Sequence, residues 1–159
     1  MIKNSLEIKN YHKRFIQEIV KTETVWGLQS EEGWATSSAN NYDDENGEPE
    51  KLICFWSDVT RARVCQKKYW PDYKPNEIPL TSFMENWLTG MDQDGSIVGT
   101  NFDWNLFGFE ALPFNLLIEL FDTLKAKEHT LNFQKYDSHD EFEKLARETL
   151  KHYKSLNEA

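Results

Sequence analysis

The sequence lacks several features that define whole classes of protein. It contains only seven glycines in 159 residues, which excludes collagen-like and glycine-rich repeats. No hydrophobic run approaches the roughly 20 residues that cross a bilayer, so we expect no membrane-spanning helix and no membrane partner. Residues 1–5 include no hydrophobic segment of the kind found in secretory signals. These absences favour a single globular domain over residues 1–159, located in the cytoplasm.

Cysteine is also scarce, since Cys54 and Cys65 are the two in the chain. Their spacing matches no CxxC motif, and each lies in an apolar pattern. Buried free thiols in a reducing compartment are therefore expected, with a disulfide between them as the alternative.

Motifs that carry known chemistry are missing as well. The chain has no glycine-rich phosphate loop and no GxSxG nucleophile motif. The acidic segments at 42–47 and 92–95 place their glycine in the wrong register for a calcium loop. The histidines, expected mostly in solvated positions, show no metal-ligand spacing: His12, His129, His139 and His152. We therefore expect no catalytic residue, no metal ion and no cofactor.

Positive charge is scarce, because 18 Lys and Arg face 27 Asp and Glu and the net charge is −9. The excess acid lies in two blocks. Residues 40–50 contain five acidic residues, and residues 77–122 contain eight with neither Lys nor Arg. Phosphate contact requires Lys and Arg, so a nucleic-acid partner is not expected. An acidic surface instead favours a basic protein as partner, because opposite charge speeds encounter.

Hydrophobic periodicity predicts an α+β fold with four to five helices packed on a small, mostly antiparallel or mixed sheet of about five strands. Residues 40–50 are predicted to form an acidic surface loop. The predicted helices cover residues 5–21, 59–70, 82–90, 113–125 and 138–155. The predicted strands cover residues 24–28, 34–38, 52–56, 97–100 and 106–110.

Capping residues support these helix boundaries. Capping-box spacing occurs at Asn4–Glu7, Ser82–Glu85 and Ser138–Glu141. Gly90 is expected to end the third helix, and Pro113 suits the first turn of the fourth. The last helix, residues 138–155, is amphipathic and could pack on the core or mediate self-association. The sequence does not decide the oligomeric state.

Residues 101–105, Asn-Phe-Asp-Trp-Asn, follow a predicted strand inside the longer acidic block. Because loops lie on the surface, an aromatic side chain here could anchor a partner protein. The alternative is that the two aromatic residues fold back onto the core. The predicted partner-binding residues are Asp92, Asp94, Asn101, Phe102, Asp103 and Trp104.

A second hypothesis places a small-molecule pocket at the ends of the strands. Its predicted residues are Trp56, Ser57, Asp58, Asn101 and Glu110. The alternative for the first three is a helix cap that follows a core strand, with Asp58 at the N-cap position.

Several short motifs resemble a known family. The motifs are Val25-Trp26-Gly27-Leu28, Gly33-Trp34-Ala35, Phe55-Trp56-Ser57-Asp58, Trp70-x-x-Tyr73-x-Pro75, Met91-Asp92-x-Asp94-Gly95 and Val98-Gly99-Thr100-Asn101. In this order they resemble the bacterial domain-of-unknown-function family twenty-seven-fifty, over about residues 15–120. The chain departs from the family pattern at Phe102, where Trp is expected. The resemblance implies a small cytoplasmic bacterial protein, and it carries over neither an activity nor a functional residue.

Three functions follow from this reading. The first is an immunity-like or adaptor-like module that binds a basic protein and has no catalytic activity. The second is a structural module that self-associates through its last helix, and the third is a small-molecule-binding protein or an unrecognised enzyme.

Overall fold

Residues 5–158, which the computed structural model describes, form helices and strands in a mixed order. This is an α+β fold, as the sequence predicts. Within these residues there are five helices: α1 (Ser5–Thr22), α2 (Val59–Tyr69), α3 (80–94), α4 (Pro113–Ala126) and α5 (His139–Glu158). The same residues form seven strands: β1 (Thr24–Ser30), β2 (Gly33–Trp34), β3 (Thr36–Asp43), β4 (Pro49–Phe55), β5 (Lys74–Pro79), β6 (Ile97–Thr100) and β7 (Phe109–Ala111).

The strands form two sheets rather than one sheet of about five strands. The first has the order β2-β1-β5 and is antiparallel throughout. The second has the order β3-β4-β6-β7, in which β4 and β6 are parallel and the outer pairs are antiparallel. Backbone hydrogen bonds between Trp26 and Trp56, both 2.8 Å, join the two sheets. The parallel pair is possible because α2, β5 and α3 form the crossover between its strands.

Four helices cover the larger core with aromatic side chains. Phe15 of α1, Phe83 of α3, Phe121 of α4 and Phe142 of α5 are buried together with Phe55 of β4. Burial of each ring contributes roughly 1.5–3 kcal/mol to the free energy of unfolding. None of the described helices combines the length and apolarity needed to cross a membrane.

A smaller core lies on the other side of β4, beneath α2. It includes Leu28, Leu52, Trp56 and Cys65, and it is closed by Phe102 from the segment after β6. Helix α2 begins as predicted, because the Asp58 carboxylate accepts a hydrogen bond from the backbone N–H of Arg61.

The acidic segment 40–50 is not the loop that its composition predicts. Strand β3 runs to Asp43, β4 begins at Pro49, and the turn between them is short. Asp44 holds that turn by accepting backbone N–H bonds from Asn46 and Glu48. Side chain to backbone bonds of this kind stabilise turns, and Gly47 supplies the positive φ of 78°. Composition alone indicated a polar segment, but it did not reveal the strand partner.

Helix α3 begins and ends differently from the prediction. It starts at Leu80, passes through a π-helical segment at Phe83–Leu88, and ends at Asp94 with Gly95 as the left-handed cap. The proposed cap Gly90 therefore lies inside the helix. The proposed capping residue Glu85 is buried and accepts the backbone N–H groups of residues 134 and 135 instead.

Other predicted boundaries shift by a few residues. The strand at 34–38 divides into β2 and β3, and the strand at 106–110 begins only at Phe109. Helix α4 has Pro113 in its first turn, and α5 extends to Glu158 rather than to residue 155. Ser138 accepts the backbone N–H of Glu141, as a helix cap should. The Asn4–Glu7 box includes Asn4, which lies outside the described residues.

Candidate functional site

The site forms where the parallel strands β4 and β6 end at the same edge of their sheet. Ser57 follows β4, and Asn101 follows β6. The Asn101 side chain accepts the backbone N–H of Ser57 at 2.9 Å and donates to Ser57 Oγ at 3.0 Å. It also donates to the backbone oxygen of Tyr11 on α1 at 3.4 Å. Asn101 has a φ of 50°, a region that Asn tolerates better than most residues. The strand ends are therefore fastened to each other and to α1.

The next residue, Phe102, is buried, so the prediction that it contacts a partner protein is wrong. Its ring folds back onto the core, which is the alternative that the sequence left open. Its ring fills the space beside Gly99 and Gly108, where an added Cβ would lie 2.9 and 2.1 Å from ring carbons. Its backbone oxygen accepts the indole N–H of Trp56 at 2.9 Å. Trp56 is itself fully buried, so both side chains belong to the core on which the site rests.

Asp103 organises the loop that follows. One carboxylate oxygen accepts the backbone N–H groups of Asn105 and Phe107, at 2.9 and 3.1 Å. The other accepts the hydroxyl of Tyr11 at 3.3 Å. The carboxylate is thus engaged in shaping the loop rather than presented to a partner.

Trp104 is the exposed member of this loop, with 56% of its surface accessible. The Lys68 ammonium lies 4.2 Å from the centre of its ring, which is cation–π geometry. The Tyr69 hydroxyl donates to the Trp104 backbone oxygen at 2.6 Å. Helix α2 therefore holds the indole ring in place at the surface.

Beside this ring is a cleft between α1 and α2, with a volume of about 410 Å³. We call it the Trp104 cleft. Cavities of 300–1,000 Å³ with a few polar groups are typical of small-molecule sites. Its lining residues are Asn10, Tyr11, Arg14, Arg61, Val64, Cys65, Asn101, Phe102, Asp103 and Trp104.

Two arginines bring positive charge to the cleft of an acidic chain. Arg61 contacts Asp58 and also lies 3.3 Å from Glu18 Oε2 through its Nη1. Arg14 Nε is 3.8 Å from Glu18 Oε1, and its side chain is 62% exposed. Glu18 also accepts the Ser57 hydroxyl at 2.7 Å. The Glu18 carboxylate therefore links the guanidinium groups of Arg14 and Arg61 to Ser57 at the strand ends.

Cys65 forms part of the cleft wall, but its thiol is not suited to nucleophilic chemistry. Burial raises its pKa to about 11, so the thiolate is scarce at neutral pH. Its Sγ lies 3.2 Å from the Phe102 backbone oxygen. Cys54 is also buried and free, as the sequence predicts.

The structure separates the predicted site residues into three places. Ser57 contacts Asn101 at the strand ends, whereas Trp56, Ser57 and Asp58 do not line the Trp104 cleft. Glu110 does not join them, because its buried carboxylate accepts the backbone N–H groups of residues 40 and 41 on β3.

The two remaining acids lie away from the Trp104 cleft. Asp92 and Asp94 precede β6, whereas the loop 101–107 follows it, so they lie at opposite ends of that strand. Asp92 accepts the hydroxyl of Tyr153 on α5 at 2.7 Å. The six predicted partner-binding residues therefore do not form one surface.

His12, expected to carry no special role, lies in a buried arrangement that resembles a catalytic triad. Its Nδ1 is 2.9 Å from Thr100 Oγ1, its Nε2 is 3.0 Å from Glu119, and its ring stacks on Phe109. Thr100 has no accessible surface, so a substrate could not reach its hydroxyl. The arrangement joins α1 to β6 and α4.

His139, Asp140 and Glu143 bring three potential metal ligands within 4.8 Å of one another. The Leu131 backbone N–H donates to His139 Nδ1 at 3.0 Å, so a neutral ring keeps its proton on Nε2. No lone pair then faces the carboxylates. Burial lowers the pKa of His139, although both acids oppose that effect and His129 adds to it. This chemistry favours a structural role over metal binding.

Sequence reasoning missed the residues of α1 that line the cleft. Tyr11 has the spacing of an apolar stripe on α1, and Arg61 has the character of a solvated residue on α2. Asn10 and Arg14 had no signal of their own beyond the i, i+4 spacing that places them on one face. The packing of α1 beside α2 is a tertiary feature that no local pattern encodes.

Comparison with known proteins supports the family resemblance. A family model described as "Protein of unknown function (DUF2750)" matches residues 12–120. No curated protein and no solved structure matches the chain.

Proposed function

The chain belongs to DUF2750, a family of proteins of unknown function, and we propose from its geometry that it is a non-enzymatic binding protein. Its proposed recognition site is the Trp104 cleft, and its ligand is a small molecule. The Trp104 cleft lies closer to α1 than the small-molecule pocket that the sequence predicts at the strand ends. The free, buried Cys54 and Cys65 fit a proposed location in the reducing cytoplasm.

The observation that carries the proposal is the exposed Trp104 ring at the rim of a cavity of about 410 Å³. Exposing so large an apolar side chain gains nothing for folding, whereas a ligand could cover it. The cleft also lies at the carboxyl ends of the parallel strands β4 and β6, where α/β sheets commonly bind ligands. The hydrogen bonds of the Asn101 side chain to Ser57 and Tyr11 hold this edge in one shape before a ligand arrives.

A non-enzymatic role is favoured by the state of the titratable groups. The Asp103 carboxylate is occupied by three hydrogen-bond donors, and the Cys65 pKa is raised. Buried Glu85 and Glu110 each bind two successive backbone N–H groups in the fold. These four groups are committed to structure, so none of them is free to act as a general acid or base in the cleft.

The test is a fragment screen followed by backbone amide NMR shifts on the intact chain. We expect hits to shift the amides of Tyr11, Val64 and Trp104. The Val64→Trp variant should lose these hits, because it fills the cleft from an exposed position on α2. Arg63→Trp is the matched control, with the same bulk on the same helix outside the cleft lining. Hits that survive Val64→Trp, or no hits in the cleft at all, would contradict the proposal.

A basic protein is the second candidate partner, at a different place. The turn between β3 and β4 exposes Asp43, Glu45 and Glu48, and none forms an ion pair with another residue in the range 5–158. Neutralising these three side chains should release a basic protein captured at low salt. Capture that is equally strong in the neutralised variant would exclude this turn as the contact.

A further inference from the structure

We propose that the ligand of the Trp104 cleft is a small anion with a flat aromatic body. This inference rests on the proposed function and adds the chemical class of the ligand. The ligand class is inferred from the hydrogen bonds of the lining residues, because some polar groups already have partners and others have hydrogen-bonding capacity left.

The apolar part of the cleft favours a flat ring. Lys68 lies 4.2 Å from the centre of the Trp104 ring, and the indole remains 56% exposed. Val64, 44% exposed, and the edge of Tyr11 continue this surface along the two helices. Aromatic rings pack in offset or edge-to-face geometry against such surfaces.

The polar part of the cleft favours an anion. The one acid that lines it, Asp103, is occupied by backbone N–H groups and by the Tyr11 hydroxyl. The available groups are the Asn10 side chain, which makes no hydrogen bond within residues 5–158, and the guanidinium groups of Arg14 and Arg61. Guanidinium forms paired hydrogen bonds with carboxylate and phosphate. Arg61 contacts Glu18 and Asp58 through Nη1, and Arg14 contacts Glu18 through Nε, so each guanidinium has donors left.

The net charge of the chain does not oppose this assignment. Of the acidic residues in 40–50 and 77–122, Asp103 is the one that lines the cleft, whose other walls come from α1 and α2. Charges more than about 10 Å apart are largely screened at 0.1 M salt. Arg14 and Arg61 therefore supply the positive charge that lines the cleft, and Lys68 lies beside it over the Trp104 ring.

Glu18 gives the inference its sharpest test, because it holds both arginines through one carboxylate. An anion must compete with it. Glu18→Gln should therefore raise the affinity for an anion, while its remaining oxygen still accepts the Ser57 hydroxyl. Arg14→Gln should lower that affinity without unfolding the protein, because 62% of the Arg14 side chain is exposed. An exposed charge pair corresponds to about two- to fivefold in affinity.

The experiment titrates three matched probes into the intact chain: 2-naphthoate, 2-naphthamide and 2-naphthylmethylammonium. Backbone amide NMR shifts locate each probe and give its Kd. We expect 2-naphthoate to bind most tightly in the cleft, more tightly to Glu18→Gln, and about two- to fivefold more weakly to Arg14→Gln, which keeps Arg61.

Two outcomes separate this inference from the proposed function. If 2-naphthamide or the ammonium probe binds in the cleft as well as 2-naphthoate, the anion inference is overturned and the binding cleft stands. If no probe shifts the cleft amides and the fragment screen finds no other cleft ligand, both are overturned.

Discussion

Replacing Asn101 with alanine tests whether this side chain fastens the two strand ends that support the cleft. Asn101 is 4% exposed and satisfies the buried backbone N–H of Ser57. Leaving that N–H unpaired costs about 1–3 kcal/mol. An alanine at a φ of 50° adds roughly 1 kcal/mol of backbone strain. We therefore expect the free energy of unfolding to fall by about 2–4 kcal/mol, which lowers Tm by roughly 5–15 °C.

Urea denaturation followed by far-ultraviolet circular dichroism measures this loss. Asn105→Ala is the matched control, because Asn105 is exposed in the same loop and its side chain makes no hydrogen bond within residues 5–158. Surface substitutions of that kind stay within about 0.5 kcal/mol of the parent protein. An Asn101→Ala variant as stable as Asn105→Ala would refute the role assigned to this side chain.

Three further predictions concern the frame around the site. Glu110→Gln leaves one oxygen for the backbone N–H groups of β3, so urea titration should show a loss of about 1–3 kcal/mol. Gly108→Ala places a Cβ 2.1 Å from the Phe102 ring and should lower Tm, whereas Gly90→Ala meets no atom within 4 Å and should raise it slightly. Burial holds the pKa of His139 below 6.5, so the unfolded chain takes up this proton first as pH falls. Stability should therefore decline below about pH 6.5, and urea midpoints at pH 7.5 and 5.5 should show a smaller decline in His139→Asn.

The elements that local patterns encode were predictable from the sequence. Strand β6 covers the predicted residues 97–100. Asp58 caps α2, and Pro113 begins α4, because capping and fixed φ act within a few residues.

Features that depend on distant partners were not predictable. Glu85 has the spacing of a helix cap, but its carboxylate accepts the backbone N–H groups of Gln134 and Lys135, which are distant in sequence. Residues 40–43 looked like a loop because nothing local shows that Glu110 pairs with their backbone.

The candidate site was predicted in part for the same reason. Asn101 and Trp104 were identified because a loop after a buried strand exposes polar and aromatic groups. The sequence alone does not show which of Phe102 and Trp104 is buried. Phe102 is buried because its ring packs against Gly99 and Gly108. The contribution of Arg14 required knowing that α1 packs beside α2.

The most direct test of the central claim is a crystal structure of the protein with bound 2-naphthoate. We expect the naphthalene ring to lie against Trp104, with the carboxylate within hydrogen-bond distance of Arg14 or Arg61. Ligand bound at another place, or an empty Trp104 cleft at saturating 2-naphthoate, would contradict it.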